Sequence, residues 1–304
     1  MFKPNIPKWV QKHNFDYKSY DDVPAEVFDR IRDGLNKKKS DRPDVSIVAI
    51  TYNESVNVLR LLSSLADIRS GLELEVIVVN NNSTDDTQKF LDRAGAVSVF
   101  EQRQGIPWAR QAGLDRAKGT YHLCADGDTI YPPKYADTMY KALQKKNVVC
   151  AYGMGSFLPD KTKTRFQLAV YEFFKDLVIH LRSINRPEQS VRSQSMGFPT
   201  ELAKKIGWNT GVKRGSDGRL AWALSKHGKL VLVNSKGARI WTTTETLNRD
   251  GSLGQVIGKR IRREWNRLGE YFQKQKGEYK EVEDIEKNKR EVEEKLKQEK
   301  ERNN

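Results

Sequence analysis

The sequence predicts an α/β protein with a mostly parallel sheet flanked by helices. Three observations predict it. Short apolar runs recur at Val45–Ile50, Leu74–Asn80 and Tyr121–Ala125. Segments with helical apolar spacing separate them, and a polar loop follows each run directly: TYNES, NNSTDDT and DGD. Strands alternating with helices imply βαβ units, and in such sheets the ligand site lies at the carboxyl ends of the strands. The three polar loops all fall at those ends.

The elements follow in order. Residues 1–44 are polar and punctuated by Pro4, Pro7, Pro24 and Pro43; they read as an N-terminal extension with one helix from Pro24 to Asn36, apolar at Val27, Phe28, Ile31 and Leu35. VSIVAI reads as a strand buried on both faces. Val58, Leu59, Leu62 and Leu65 give Val56–Ala66 helical spacing. LEVIVVN is a second buried strand. Asp85 and Asp86 then open a helix continuing through Gln88–Ala94, in the turn where the helix dipole favours acids. Ala96–Phe100 is a third strand, Pro107–Lys118 a helix, and Tyr121–Ala125 a fourth strand ending in DGD. Beyond it the pattern loosens: a strand at Asn147–Ala151, an aromatic-rich helix at Phe166–Leu181, helices at Glu201–Ile206 and Asp217–His227, and a strand at 229–234. Residues 45–150 and 151–273 are thus read as two halves of one domain, and 274–304 as a charged tail.

Composition narrows the function classes. The chain has 304 residues and a formal net charge of +14. The tail 274–304 carries ten basic and ten acidic residues, so the excess lies in residues 1–273. Basic patches occur at Arg182–Arg214 and in KRIRREWNR, residues 259–267. Such patches attract phosphates, whether of nucleic acid, anionic lipid or a sugar nucleotide. No nucleic-acid-binding motif accompanies them, which argues against that partner. Two cysteines, Cys124 and Cys150, cannot make a disulfide framework. No apolar run approaches the ~20 residues of a membrane helix, and the first residues lack a signal-peptide core. The expectation is a soluble, cytoplasmic chain, with the inner face of a membrane as an alternative location. The tail's few apolar residues fit a solvated helix or disorder.

Asp126-Gly127-Asp128 carries the sharpest chemistry. Two carboxylates flanking a glycine at a strand end suit Mg²⁺ or Mn²⁺, which take oxygen ligands and bridge diphosphates. An acidic turn alone has a plain structural reading as well. The order VSIVAITYNES, EVIVVNNNSTDDT, ARQAGL, then DGD, however, resembles the family 2 glycosyltransferases, which have the GT-A fold. The likeness covers residues 45–128 closely and 196–241 loosely. It implies transfer of a single sugar from a nucleotide-diphospho-sugar, UDP-sugar first, to an acceptor hydroxyl with inversion. It implies that Thr51, Asn53 and Glu54 lie beside the nucleotide base and ribose, that Asn81 stands where the family has a base-contacting Asp, and that Asp126 faces the ribose side. Arg110 matches the family's arginine, as a phosphate or base contact or as a salt-bridge partner. Asp128 matches the metal ligand. In Arg214-Gly215-Ser216-Asp217, Asp217 matches the Asp that deprotonates the acceptor, while the same residue is also a good helix N-cap. Thr242–Thr244 stand where some relatives place a metal-binding His. The positive charge suits a lipid-linked saccharide or another glycan precursor as acceptor, with peripheral membrane contact. The departures at Asn81, Ser216 and Thr242 leave one alternative: an inactive sugar-nucleotide or glycan-binding module.

Overall fold

The computed structural model describes residues 4–212, 215–249, 258 and 262; most of the basic stretch 259–267 and the whole tail 274–304 lie outside the described residues. In chain order the first half comprises α1 (Lys8–Gln11), α2 (Ala25–Asn36), β1 (Val45–Thr51), α3 (Ser55–Ala66), β2 (Leu74–Asn80), α4 (Thr87–Arg93), β3 (Val97–Phe100), α5 (Ile106–Arg116), β4 (Tyr121–Asp126), β5 (Thr129–Ile130) and α6 (Tyr135–Leu143). The second half comprises β6 (Val148–Tyr152), β7 (Gly155–Phe157), α7 (Arg165–Asn185), β8 (Met196–Pro199), α8 (Thr200–Ile206), α9 (Ser216–Ser225), β9 (Lys229–Leu232), β10 (Ile240–Thr242) and α10 (Glu245–Arg249).

The main sheet has seven strands in the order β3-β2-β1-β4-β8-β6-β9. β3, β2, β1 and β4 run parallel, and β8 runs antiparallel to both β4 and β6. This is the predicted mostly parallel sheet, with one reversed strand in its middle. The register pairs Thr51 with Asn80 and Ile50 with Asp126, so the loops after β1, β2 and β4 leave the sheet along one edge.

Helices cover both faces. On one face α2, α3, α4 and α6 bury Phe28, Ile31, Leu59, Leu62, Phe90 and Met139 against the strands. On the other, Ala109 of α5 and Ala117 just after it pack on Val48, Ile77 and Val79. Gly113 permits that approach, since a Cβ there would lie 2.4 Å from a Val48 methyl. The N-terminal extension shares this core: α2 buries Phe28, Ile31 and Leu35, and Phe28 lies against Phe90 with ring centroids 6.0 Å apart.

A second sheet, β5-β10-β7, was not foreseen. Its strands are two or three residues long, too short to show a period. It joins sequence-distant pieces, pairing Thr242 with Thr129 in antiparallel and with Phe157 in parallel.

Candidate active site

The loop after β1 is tied to the loop after β2. The Thr51 hydroxyl donates to the Val79 carbonyl at 3.2 Å. Asn53 adopts φ 53°, a left-handed conformation that Asn tolerates well. Its side-chain oxygen accepts from the Thr84 N–H at 2.8 Å, and its own N–H donates to Ser83 Oγ at 3.0 Å. Glu54 packs against Gly127, where a Cβ would come within 2.8 Å of Glu54 Cγ. Burial, then the nearby charges of Asp128, Glu245 and Asp126, push the Glu54 carboxyl up to about 8, against a hydrogen bond from the Asn57 amide.

Asn81 is buried, and its amide pins the loop that leads into α5. Nδ2 donates to the carbonyls of Glu101 (3.1 Å) and Arg103 (2.7 Å), while Oδ1 accepts from the Gly105 N–H (2.8 Å). An aspartate could not supply those two donors, which gives a physical reason for the departure from the family's Asp. Asn80 is employed similarly, donating to Gln88 Oε1 at 2.8 Å and accepting from the Ser83 N–H at 3.0 Å.

Arg110, on α5, lies beneath the strand ends and is 1% exposed. It donates to the carbonyls of Ala125 (2.7 Å) and Val48 (3.4 Å) and forms an ion pair with Asp126. The guanidinium therefore acts on Asp126 from inside the protein. Asp126 remains about a third exposed on its other side, at 31%. Burial, with the charges of Asp128 and Asp217, raises its carboxyl to about 6, although Arg110 opposes the rise.

Asp128 is held by three hydroxyls. Thr129 donates to Oδ1 at 3.0 Å, and Thr242 and Thr243 donate to Oδ2 at 3.0 and 2.9 Å. β10 and the residue after it deliver the last two from more than a hundred residues away. Asp217 stands in the first turn of α9. Its Oδ1 accepts from the Gly218 N–H at 2.9 Å and its Oδ2 from the Ser193 N–H at 3.3 Å.

Asp126, Asp128 and Asp217 line one cleft of about 670 Å³. Its far wall is α7, contributing Phe174, Lys175, Leu177 and Val178, together with the segment 189–195. Tyr131 joins the halves: its hydroxyl accepts from the Asp126 N–H at 3.0 Å and donates to the Gln194 carbonyl at 2.8 Å. Sequence reasoning passed over this wall. Gln189 and Ser190 are buried there, and Gln189 Oε1 and Ser190 Oγ find no hydrogen-bond partner among the described residues. Buried polar atoms left unpaired beside a cleft are ready to receive a polar ligand. No periodicity marks them in the sequence. Among the described residues no group of three His, Cys, Asp or Glu side chains is arranged to hold a metal unaided.

Comparison with known proteins identifies the family. Residues 46–211, more than half of the chain, match the model for glycosyl transferase family 2. Glycosyltransferase AglJ of Haloferax volcanii is 34% identical over 103 residues, covering 33% of each chain. The dolichol-phosphate mannosyltransferase of Pyrococcus furiosus is 28% identical over 105 residues, covering 33% of this chain and 30% of that one. The match thus spans about a third of the length of these curated relatives. Among solved structures, the mannosyltransferase PcManGT from Pyrobaculum calidifontis, in complex with GDP-Man and Mn²⁺, superposes with a TM-score of 0.52. It shares 21% identity, over 78% of this chain and 73% of that one. That likeness is one of fold.

Proposed function

The chain belongs to glycosyl transferase family 2, and from that premise we propose that it is an inverting glycosyltransferase moving one sugar from a nucleotide-diphospho-sugar, UDP-sugar first, to an acceptor hydroxyl. One observation carries the reading. Two carboxylates at the end of β4 and a third at the start of α9, 89 residues beyond Asp128, converge on a single cleft.

In this reading residues 45–150 hold the donor and residues 151–273 the acceptor. Thr51, Asn53, Glu54 and Asn81 form the edge beside the base and ribose, with Asp126 facing the ribose and Arg110 setting its position. Asp128 would hold the divalent cation, Mg²⁺ or Mn²⁺, with its remaining ligands drawn from water and the diphosphate. The residues fit such an ion: the donors are hard oxygens, and burial together with neighbouring carboxylates raises both Glu54 and Asp126, an environment in which a cation would favour the ionised forms. When bound, the ion supplies positive charge opposite the leaving diphosphate. The hydroxyls of Thr129, Thr242 and Thr243 fix the Asp128 carboxylate, a role that elsewhere tunes metal sites.

Asp217 acts on the acceptor. Its backbone hydrogen bonds from Gly218 and Ser193 orient the carboxylate. One carboxylate oxygen takes the proton of the acceptor hydroxyl as the hydroxyl oxygen forms its bond to the anomeric carbon. The bond from that carbon to the β-phosphate oxygen breaks on the opposite face, and the nucleoside diphosphate departs. We place the enzyme in the cytoplasm, at the inner face of a membrane, acting on a lipid-linked saccharide; the basic charge of residues 182–214 supports a phosphate-bearing acceptor.

The test is a panel of UDP-, GDP- and CDP-sugars with Mn²⁺ and polyprenyl-phosphate-linked glycans. Nucleoside diphosphate release and the anomeric configuration of the product by NMR are the readouts. Turnover with inversion is expected. Retained configuration contradicts the mechanism, and nucleotide binding without turnover for every pair identifies an inactive binding module.

A further inference from the structure

α7 combines buried acids on its inner face with exposed apolar residues on its outer face. It runs from Arg165 to Asn185, begins with a capping box between Thr164 and Gln167, and turns its acids inward. Glu172 and Asp176 are buried, paired with Arg165 (2.6 Å) and with Arg239 respectively. Leu168 and Tyr171 are buried beside them, but six other large apolar residues face outward. Phe166, Phe173, Phe174, Leu177, Leu181 and Ile184 are between 42% and 72% exposed. From Phe166 these positions fall at i, i+7, i+8, i+11, i+15 and i+18, a single stripe about 100° wide along the helix.

The helix cannot roll to hide that stripe. Rolling it inward would break both buried ion pairs and leave charges without partners. Six such side chains present on the order of 600 Å² of apolar surface, at the upper limit of what a monomer leaves in water. The stripe is also continuous with the cleft, because Phe174 and Leu177 belong to both. Arg182 and Arg192 also line the cleft, and the segment 182–214 carries seven basic residues against two acidic ones.

We infer that the outer stripe of α7 rests on an anionic lipid surface, and that the apolar chain of a lipid-linked acceptor runs along Phe174 and Leu177 into the cleft. The inference deepens the transferase reading and rests on it. α7 is not apolar enough to cross a bilayer. An apolar stripe flanked by basic side chains is instead the pattern of a helix lying in the membrane interface. A lipid surface is favoured over a protein partner because the stripe forms part of the cleft wall. A lipid surface can present a lipid-linked acceptor along Phe174 and Leu177 to the cleft that Asp217 lines.

The test is sedimentation of the full chain with vesicles of phosphatidylcholine containing about one third phosphatidylglycerol, compared with phosphatidylcholine alone. The variant is Phe173→Ser, Leu181→Ser, Ile184→Ser, three exposed positions outside the cleft lining. Wild type should bind the anionic vesicles, less tightly but still measurably at 0.5 M NaCl, and the triple variant should lose at least tenfold in partitioning with an unchanged melting temperature. Equal binding by the variant, or no binding by wild type, overturns the inference. So does a concentration-dependent dimer, without vesicle binding, that the variant dissolves: the stripe then seats a second copy. Calorimetry with UDP and GDP on the same samples separates the two readings. Nucleotide binding without vesicle binding removes only the lipid surface. Vesicle binding without nucleotide binding removes the transferase reading.

Discussion

Asp217→Asn separates the two roles that Asp217 can play. As a first-turn acid of α9, its charge stabilises the helix by about 0.3–1 kcal/mol. Asparagine keeps the size and one acceptor oxygen, so the hydrogen bond from the Gly218 N–H at 2.9 Å can persist. The weaker bond from Ser193 at 3.3 Å is the one sacrificed, because an amide NH₂ would meet an N–H donor. Stability should therefore fall by about 1 kcal/mol, roughly 2–4 °C in Tm for a chain of this size. As a general base, its loss should lower kcat by roughly 10²–10⁴-fold, equivalent to about 2.7–5.5 kcal/mol of barrier. Thermal unfolding and steady-state turnover on the same preparation give the two numbers side by side. A small loss of Tm with near-abolished kcat and unchanged nucleotide affinity is expected. Retention of more than about a tenth of wild-type turnover would refute the base assignment and leave Asp217 as a helix-terminal acid.

Other perturbations probe the supports of the site. Arg110→Met strands the Ala125 carbonyl and Asp126, and should cost roughly 3 kcal/mol, the low end for a broken buried pair because Asp126 is a third exposed. A Tm drop of roughly 10 °C checks it. The double variant Thr242→Val, Thr243→Val frees Oδ2 of Asp128 and should weaken Mn²⁺-dependent nucleotide binding by about 10–100-fold while sparing any metal-independent component. His122 is fully buried, neither ring nitrogen has a hydrogen-bond partner among the described residues, and burial, aided by Arg110 and Lys204, lowers it to about 3. The unfolded chain then binds a proton that the folded chain refuses. This contribution is present above pH 6.5 and is lost as pH falls from there toward 3, at up to about 1.4 kcal/mol per pH unit. His122→Leu should flatten the melting-temperature profile between pH 6.5 and 4.5; an unchanged slope would count against it.

The parallel half of the sheet was legible because its strands are buried on both faces. β1 and β2 read as unbroken apolar runs, and α3 carries its helical spacing plainly. β5, β7 and β10 were not legible, since pieces of two or three residues carry no period and their pairing is set by tertiary contact. The reversed strand β8 hides in MGFP, where Gly197 and Pro199 obscure a strand pattern. In the site, the carboxylates stood out because acids at strand and helix ends have a recognisable chemistry. The amides of Asn80 and Asn81 could be read only as departures, because their partners are loop backbone. Gln189, Ser190 and Tyr131 gave no signal, since what matters in each is a burial and a neighbour that only the folded chain defines. The aromatic richness of α7 was visible, but its orientation was not. The sequence cannot show that Glu172 and Asp176 find buried cations and thereby turn the phenylalanines outward.

The central claim is that the cleft at the end of β4 is a metal-dependent nucleotide site. Calorimetric titration of UDP, GDP and CDP, with and without Mn²⁺, on wild type and on Asp128→Ala tests it most directly. One nucleotide should bind wild type in a Mn²⁺-dependent manner, and Asp128→Ala should abolish that dependence at an unchanged melting temperature. Absence of binding by any nucleotide under either condition would reduce Asp126-Gly127-Asp128 to a turn and contradict the account.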